Sequence, residues 1–574
     1  MAKRESVMSR RQWVGMVGAP ALAATALATW PSDAAGAATA PIGDGGGAVV
    51  GAVYDVRKFG AKGDGVALDT AAVQAAIDQC YKDRGGTVVV PAGDFLCGTL
   101  ELKSYVTLHL AQHGKIVGSP DIAHYRAGNN IPRGNGNIVL LSAADAENVT
   151  IEGRGTIDGN GAKFFTGKGD NTGPGQDSSQ GYFNRPHLLI FARCRNLLIR
   201  DVFLTASAYH CCRILNCQYV RLDGVRIHNR VNKNNDGFHF NNSEYVNIVN
   251  CNVQCQDDAC ALFGSNKYVT VTNCSFSTRW SIFRFGGGNP EQIAISNCLI
   301  YDTFGCPIKM RFGRGSRAEN ISFSNLVMRN VTGPISIGLD STARRRSSTS
   351  QAVTNPATAT AATTQPRGVV RNISFNHIRA TVVAQGFQHA DLPFPSDFRP
   401  GELHSCIVIN GAHADDVIEN ISFDDVHITF AGGGTAAEAA REIPKMAGEY
   451  FEIGTPPAYG VYARNVRGLT LHNARLETTE PDLRPAVVFD HVDDASVNGV
   501  AAQGNPQASG VFRMIDSRHA LLSASRVLTS AAAFVRVEGA ASSAITIDGG
   551  DLSRAASAVS LGEGVDDKAV RVRA

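Results

Sequence analysis

The chain has 574 residues, a formal net charge of +2, 59 glycines and only 7% aromatic residues. A charge so close to neutral excludes a general binder of nucleic acid or other polyanions, so any preference for anions must be local. Abundant glycine with few aromatics favours many short strands joined by turns. No uninterrupted apolar run is long enough to span a membrane in the mature protein.

The first forty residues have the pattern of an export signal. The letters SRRQWV at 9–14 resemble the twin-arginine motif, whose pathway exports folded proteins. A moderately apolar stretch and an A-x-A cleavage site, Ala35-Gly36-Ala37, follow. We therefore expect a twin-arginine-type signal peptide over 1–40 and a mature protein in the periplasm or outside the cell. The alternative is a basic disordered tail.

Residues 50–110 predict an N-terminal cap module. Asp69 is the expected N-cap of a helix with an apolar stripe at Val73, Ala76, Ile77 and Cys80. A short strand follows and ends at a proline. A helix at the start of a repeat protein covers an end of the core that would otherwise be exposed.

A short alternating phrase then recurs along the chain, typified by NVTI, YVRL and NISF. Its first aliphatic residue falls at Val149, Leu197, Val220, Val246, Val269, Ile293, Ile321, Ile373, Ile421 and Leu469. The intervals cluster near 24 residues and twice that number, which is an internal period. Each phrase is too short to form a sheet alone. The period predicts an all-β fold, a single-stranded parallel β-helix over 50–574, in which coils of about 24 residues stack on one another.

Two segments interrupt the repeat. Residues 341–367 form an expected low-complexity loop, and 432–460 an insertion with a short helix over 436–442. In a solenoid, such insertions often border a binding surface.

The thirteen cysteines are odd in number, and three follow asparagine 23 and 24 residues apart, at Cys251, Cys274 and Cys298. This favours stacked buried thiols over disulfides or a metal site.

Charged residues cluster between 234 and 311. Asp236, Asp257 and Asp258 are followed by Arg279, Arg284, Lys309 and Arg311. Measured back from the repeated aliphatics, Asp236, Asp257, Arg279 and Lys309 have nearly the same phase, which predicts that they lie on one face of adjacent coils about 4.8 Å apart. Ordinary turns would explain each aspartate separately but not this shared phase. Repulsion among three close carboxylates should raise at least one pKa, which provides the protonated acid and ionised base that glycoside hydrolysis requires.

The same segment resembles the polygalacturonase family, glycoside hydrolase family 28. The letters NNDG at 234–237 are similar to its N-T-D motif, QDD at 256–258 to its G-D-D motif, and IK at 308–309 to the end of its R-I-K motif. The likeness extends over roughly 53–480 and includes VTGPISIGL at 331–339. It implies a right-handed parallel β-helix that cleaves pectin with inversion.

The resemblance also implies roles for individual residues. Asp257 would be the general acid, and Asp236 and Asp258 would hold and deprotonate the attacking water. Lys309 would bind a substrate carboxylate, and Asn234 would orient the cluster. No metal or organic cofactor is implied.

Two positions depart from the family pattern. Thr278 stands where the family has a histidine, and Pro307 where it has an arginine. We expect Arg279, Arg284 and Arg311 to supply the lost positive charge, since arginine can hold a carboxylate through two hydrogen bonds. The alternative is that they are solvated surface residues. His239 is expected to replace the missing histidine, or else to be a packed strand residue.

The expectation is therefore an exported glycoside hydrolase acting on an acidic plant polysaccharide, either homogalacturonan or rhamnogalacturonan. The mature protein is expected to be a monomer without nucleic-acid or membrane partners. Two alternatives remain open. A polysaccharide lyase on the same architecture would need a base at the sugar C5, commonly helped by Ca²⁺. A non-catalytic carbohydrate-binding solenoid would have lost activity with the histidine and arginine.

Overall fold

The computed structural model describes residues 51–131, 137–164, 185–342, 365–393, 398 and 401–573. They belong to one compact unit that spans 48–574. The expected export signal and most of the low-complexity loop lie outside the described residues. Within the described part, the chain forms a right-handed parallel β-helix, the hand expected of parallel crossover connections.

Successive strands of each coil lie in three parallel sheets, A, B and C. Sheet A contains Leu100–Glu101, Ile138–Ala144, His187–Ala192, Cys212–Leu215, Phe238–Asn241, Cys260–Phe263, Ser281–Gly286, Cys306–Gly313, Ile335–Asp340, Ile407–Gly411, Phe512–Ile515, Val535–Glu538 and Val559–Leu561. Sheet B contains Val53–Asp55, Gly86–Val90, Val106–Leu110, Glu147–Gly153, Arg195–Arg200, Gln218–Asp223, Glu244–Val249, Lys267–Thr272 and Val570–Arg573. Sheet C contains Asp64–Leu68, Gly93–Cys97, Gly114–Gly118, Thr156–Asp158, Phe203–Thr205, Arg226–Asn229, Asn252–Cys255, Ser275–Thr278, Arg475–Thr478 and Ala501–Ala502.

Longer strands bend from one sheet into the next. Those shared by sheets B and C are Glu291–Thr303, Arg317–Val331, Val369–Val382, Ile418–Phe430, Arg518–Val527 and Ser543–Asp551. Val461–His472 and Val487–Asn498 are shared by sheets A and B. A short strand, Arg126–Ala127, pairs antiparallel with Ile138–Ala144.

The predicted period is confirmed residue by residue in sheet B. Val149 pairs with Leu197, Leu197 with Val220, and Val220 with Val246. The pairing continues without a slip through the remaining aliphatics to Leu469. All ten predicted residues therefore form one column of side chains in the core. A one-residue slip would turn every one of them to the outer face, so burial fixes the register.

The capping helix spans Thr70–Lys82, and its predicted stripe is fully buried. Asp69 is its N-cap residue, but its side chain makes no capping hydrogen bond. The carboxylate instead accepts hydrogen bonds from the backbone of Lys62 and Gly63. Asp69 thus ties the preceding turn to the helix rather than capping it.

The thirteen cysteines are all buried and free of disulfides. The repeated Asn-Cys pairs have a backbone explanation, because each asparagine adopts the left-handed conformation, with φ of 59°, 56° and 54° at Asn250, Asn273 and Asn297. Asparagine tolerates this conformation better than most residues. The following thiols turn inward, and Cys251 N donates to Cys274 Sγ at 3.4 Å.

The 432–460 insertion contains two short helices instead of the one predicted. The first ends earlier than expected, at Ala436–Ala439, and the second spans Tyr450–Ile453. Thr435 and Glu438 form a reciprocal capping box on the first helix. Among the described residues, no helix combines the length and the apolar character needed to cross a bilayer.

A stack of phenylalanine rings in sheet B provides a test of core packing. Phe375 lies 5.1 Å from Phe323 and 4.9 Å from Phe423, ring centroid to ring centroid, and is fully buried. We expect Phe375→Ala to lower the free energy of unfolding by about 3–5 kcal/mol, because it removes transfer energy and leaves a cavity. Urea denaturation measures the change. Val327→Ala, on an exposed neighbouring position, is the control, and equal losses in both variants would contradict this packing.

Candidate active site

The predicted charged residues lie on or just before four consecutive strands of sheet A, and Arg213 lies on the strand that precedes these four. We call these five strands the site strands: Cys212–Leu215, Phe238–Asn241, Cys260–Phe263, Ser281–Gly286 and Cys306–Gly313. Alternate residues of a strand point to opposite faces, so Phe238 and Phe240 enter the core while His239 points to the outer face. One outer row consists of Arg213, His239, Ala261, Arg284 and Lys309. The small side chain of Ala261 therefore lies between the pair Arg213 and His239 and the pair Arg284 and Lys309.

Asp236 and Asp258 occupy equivalent positions just before neighbouring site strands. Gly237 N donates to the Asp258 carbonyl at 2.9 Å, which fixes the register between the two segments. Their backbones are therefore about one strand spacing, ~4.8 Å, apart. The two residues are only 4% and 6% exposed. The fold thus holds two carboxyl groups close together with little water to screen them.

Burial and mutual repulsion change the protonation of this pair. Burial, and then the charge of Asp258, raise the pKa of Asp236 well above its ordinary value. Burial also raises the pKa of Asp258, but Lys309 and Arg284 oppose this effect. Asp258 is therefore the more readily ionised of the two. One of its oxygens, Oδ1, is buried without a hydrogen-bond partner among the described residues, so it can accept a hydrogen bond.

Asp257 is held by its backbone and by two side-chain contacts. Its Oδ1 accepts from Asp258 N at 2.9 Å, and its Oδ2 accepts from Asn234 Nδ2 at 3.3 Å. Thr278, at the position of the family histidine, donates from its hydroxyl to the Asp257 carbonyl oxygen. Asp257 is only partly buried. The predicted contact between Asn234 and the carboxylate cluster is therefore present, and Thr278 has a positioning contact of its own.

Two stacked histidines contact Asp236. His239 Nδ1 lies 2.7 Å from Asp236 Oδ2, and His210 Nε2 lies 3.7 Å from Oδ1. The two rings stack with centroids 4.6 Å apart. Burial, and then Arg213, lower the pKa of His239 to about 3, and burial lowers that of His210 as well. Burial therefore favours the neutral form of both rings and of Asp236.

Two groups of side chains in the described part have the composition of a metal site. They are His210, Asp236 and His239, and Asp340, His413 and Asp416; within each, the ligand atoms lie within 4.8 Å of one another. In the first group, His239 and Asp236 already satisfy each other by a direct hydrogen bond. In the second, Asp416 accepts from Ser341 N at 3.2 Å. Each group thus contains at least one ligand atom that already has a hydrogen-bond partner in the protein.

A fully buried asparagine holds the loop that carries Asp236. Asn235 Oδ1 accepts from Val231 N and Asn232 N, at 3.0 and 2.7 Å. Its Nδ2 donates to the carbonyls of Ser207 and Tyr209, both at 2.9 Å. All four side-chain hydrogen bonds are made within the preceding coil and its own loop. Asn235 thus sets the position of the neighbouring aspartate.

The basic end of the outer row contacts a glutamate from the insertion. Lys309 Nζ lies 2.8 Å from Glu449 Oε2, and Arg284 Nη2 lies 3.8 Å from Oε1. Lys309 is fully buried, 4.7 Å from the centre of the Trp280 ring. Burial opposes ionisation of Glu449, but Lys309 and Arg284 outweigh it and lower its pKa to about 2. Glu449 is therefore ionised and neutralises part of the basic group.

The other two predicted arginines also have protein partners. Arg279 is 1% exposed, with Nη1 3.7 Å from Glu402 Oε1 and the guanidinium 4.6 Å from the centre of the Phe304 ring. Arg311 donates to the Met310 and Ser336 carbonyls and to Ser336 Oγ. Neither is a solvated surface residue. Their roles as substrate ligands, like that of Lys309, stay predictions.

The shared phase predicted from the repeat places Asp236 beside the Asp257–Asp258 pair, as found, but it is one residue off for Asp257, because Asp258 aligns with Asp236, and it is wrong for the basic residues. The column of Asp236 and Asp258 continues to Ser281 and Cys306. Arg279 lies two residues before Ser281, and Lys309 lies three residues after Cys306. The reason is that the segment between sheets A and B lengthens from coil to coil, so the distance to the next aliphatic marker is not constant.

Sequence reasoning missed three residues of the site: His210, Asn235 and Glu449. His210 had a signal, because it precedes Val220 by ten residues just as Asp236 precedes Val246. Asn235 lies inside the quoted motif, but no pattern indicated its burial. Glu449 lies in an insertion without a repeat phase. Only the three-dimensional structure could bring it to Lys309.

The parallel β-helix and the carboxylate cluster on sheet A place the chain in a class of solenoid proteins. Comparison with protein families identifies which family of that class it belongs to. The profile of the glycosyl hydrolases family 28 matches residues 80–385, more than half of the chain. The chain belongs to this family.

Sequence relatives agree with that assignment. The chain is 28% identical to an exo-poly-α-D-galacturonosidase of Dickeya chrysanthemi, over 49% of this chain and 55% of the relative. It is also 28% identical to a polygalacturonase of Persea americana, over 49% of this chain and 60% of the relative. The alignments thus span between half and two thirds of these relatives.

Solved structures with the same fold include two exopolygalacturonases. The Thermotoga maritima enzyme aligns with a TM-score of 0.55 at 20% identity, over 74% of this chain and 92% of the other. The Yersinia enterocolitica family 28 enzyme gives 0.56 at 20% identity, over 78% of each chain. At this level of identity the likeness supports the fold alone.

The role of Asn235 can be tested by truncation. We expect Asn235→Ala to lower the free energy of unfolding by about 3 kcal/mol, because it leaves several buried backbone groups without partners. Asn247→Ala, which removes one exposed side-chain hydrogen bond to Thr270, is the control and should change it by less than about 0.5 kcal/mol. Denaturant unfolding measures both. Equal, small effects would contradict the structural role of Asn235.

Proposed function

We propose that this chain is an exported glycoside hydrolase that cleaves galacturonate-containing pectic polysaccharide with inversion. The observation that carries the proposal is the placement of Asp236, Asp257 and Asp258 at the starts of adjacent strands of sheet A. Membership of glycosyl hydrolases family 28 supports the reaction class. The names of the relatives, a galacturonosidase and a polygalacturonase, support the substrate class.

In the proposed reaction, Asp257 is the general acid. It donates its proton to the glycosidic oxygen as the bond from that oxygen to the anomeric carbon breaks. Its partial exposure suits contact with a polysaccharide, and Asn234 holds one of its oxygens. The leaving chain then departs with a neutral hydroxyl group.

Asp258 is the proposed general base. It removes a proton from the water that attacks the anomeric carbon from the opposite face, so the sugar configuration inverts. Lys309 and Arg284 suit it to this role because they favour its ionised form. Asp236 holds the same water through its carboxyl group, and His239 orients Asp236 by a hydrogen bond. Proton donor and acceptor are thus both supplied by aspartates.

The location and assembly state belong to the same proposal. The arginine pair and apolar stretch within residues 1–40 support export by the twin-arginine route to the periplasm or beyond. The mature protein is proposed to act as a monomer. Fractionation of cells expressing the full chain, followed by size-exclusion chromatography of the exported form, tests both points.

Replacing the proposed acid tests the reaction. We expect Asp257→Asn to reduce release of reducing ends from pectic polysaccharide by about 10²–10⁴-fold, the usual contribution of a general acid. The thermal unfolding midpoint should be unchanged within a few degrees. Asp494→Asn, an exposed aspartate on sheet B, is the matched control. Full activity of Asp257→Asn would exclude the assignment, and an unsaturated product from the unaltered chain would indicate a lyase instead.

The pH dependence tests the base. Asp258 must be ionised to accept a proton, so kcat/KM should fall as pH drops through its raised pKa. Arg284 lowers that pKa, so Arg284→Gln should raise it and move the acidic limb of the pH profile to higher pH. Arg571→Gln, at an exposed position on the last strand of sheet B, should leave the limb in place. A limb that moves to lower pH in Arg284→Gln would contradict the assignment of Asp258.

A further inference from the structure

The 432–460 insertion places a carboxylate in the basic part of the candidate active site. Glu449 lies at the start of the helix Tyr450–Ile453 and contacts both Lys309 and Arg284. Family resemblance assigns Lys309 to a carboxylate of the substrate. In this chain, a carboxylate of the protein itself already occupies that place. Glu449 thereby neutralises part of the positive charge that would attract an ionised sugar.

Strong anchors on both sides keep Glu449 in this position. On one side, Arg464 donates to the carbonyls of Ile443 and Pro444, at 2.7 and 2.9 Å. On the other, Tyr450 is 1% exposed and its hydroxyl donates to the Cys406 carbonyl at 2.6 Å. These hydrogen bonds fix the backbone on both sides of Glu449, so the segment cannot carry Glu449 away from Lys309 without breaking them. The ion pair therefore belongs to an anchored part of the insertion.

The charge of Glu449 affects which sugar can bind beside Lys309 and Arg284. A second carboxylate here would face Glu449, whose charge also acts on Asp258 and raises its pKa. Buried like charges repel strongly because little water separates them. The Glu449 side chain is 16% exposed, so its oxygens can still accept hydrogen bonds from sugar hydroxyls. The position therefore favours an uncharged sugar.

We infer that Glu449 is a specificity-determining residue, and that the sugar bound beside it is uncharged. This inference rests on the proposed function and narrows its substrate. The substrate is a pectic chain in which a galacturonate adjoins either a neutral sugar or a galacturonate whose carboxyl is esterified. Fully ionised homogalacturonan is a poor substrate because each of its sugars carries a carboxylate.

Binding measurements test this without requiring turnover. The Asp257→Asn variant is titrated calorimetrically with three oligosaccharides of equal length: fully ionised galacturonate, methyl-esterified galacturonate, and alternating rhamnose and galacturonate. We expect at least one of the two partly uncharged ligands to bind ten-fold or more tightly than the ionised one. Whichever binds better identifies the source of the uncharged sugar. Equal or tighter binding of the ionised ligand overturns the inference.

Substitution of Glu449 tests the cause of the preference. Adding Glu449→Gln to Asp257→Asn should reduce the preference for the partly uncharged ligand over the ionised ligand about ten-fold. The main cause should be tighter binding of the ionised ligand to Lys309 and Arg284, which no longer face the charge of Glu449. Glu442→Gln, an exposed glutamate of the same insertion, should leave the ratio unchanged. An unchanged ratio in Glu449→Gln contradicts the inference.

A second variant covers the case in which Glu449→Gln does not fold because Lys309 loses its buried partner. The pair Lys309→Met with Glu449→Leu replaces both charges by apolar groups of similar size, which is often tolerated. It should also lose the discrimination, though without gaining affinity for the ionised ligand. Discrimination retained in this folded variant overturns the inference.

Hydrolysis assays of the unaltered chain distinguish a failure of the inference about Glu449 from a failure of the hydrolase proposal. Cleavage of the ionised polymer at the same rate as the other substrates would refute the role of Glu449 while the hydrolase proposal stands. Selective binding of uncharged ligands without cleavage of any would support the role of Glu449 and refute the hydrolase proposal.

Discussion

The structure depends on the in-register stacking of coils, which forces Asp236 and Asp258 to lie one strand spacing apart in a buried setting. Each carboxyl group raises the cost of ionising the other. The fold offsets this cost unequally. Neutral histidines contact Asp236, whereas Lys309 and Arg284 favour the ionised form of Asp258. Two chemically identical side chains thereby acquire different protonation: Asp258 is the more readily ionised, as the proposed general base must be, whereas burial favours the neutral form of Asp236, the proposed holder of the water.

Much of the fold could be predicted from the sequence because one physical constraint repeats. Each coil must bury an aliphatic residue at the same place in sheet B, so the ten aliphatic residues from Val149 to Leu469 follow the coil length. The capping helix could also be predicted from the sequence, because its apolar stripe has helical spacing. The hydrogen bonds of the Asp69 carboxylate could not be predicted, since its partners lie in a turn whose path no local sequence pattern specifies.

The site was predictable only where it follows the repeat. The two buried aspartates do so, and His210 would have been found by the same rule. The positions of Arg279 and Lys309 along the strands were not predictable, because segments between sheets vary in length. Glu449 comes from an insertion about 140 residues beyond Lys309, and no periodicity connects them. The proposed proton acceptor, Asp258, and the residue proposed to select the sugar, Glu449, are thus encoded by different parts of the chain.

The anomeric configuration of the first product tests the central claim most directly. Proton NMR is recorded while the protein acts on a pectic oligosaccharide of defined linkage, before the new reducing end equilibrates. We expect the new reducing end to appear first with the configuration opposite to that of the cleaved linkage, because in the proposed reaction water attacks directly from between Asp236 and Asp258. Retention of configuration, or an unsaturated product, would contradict it.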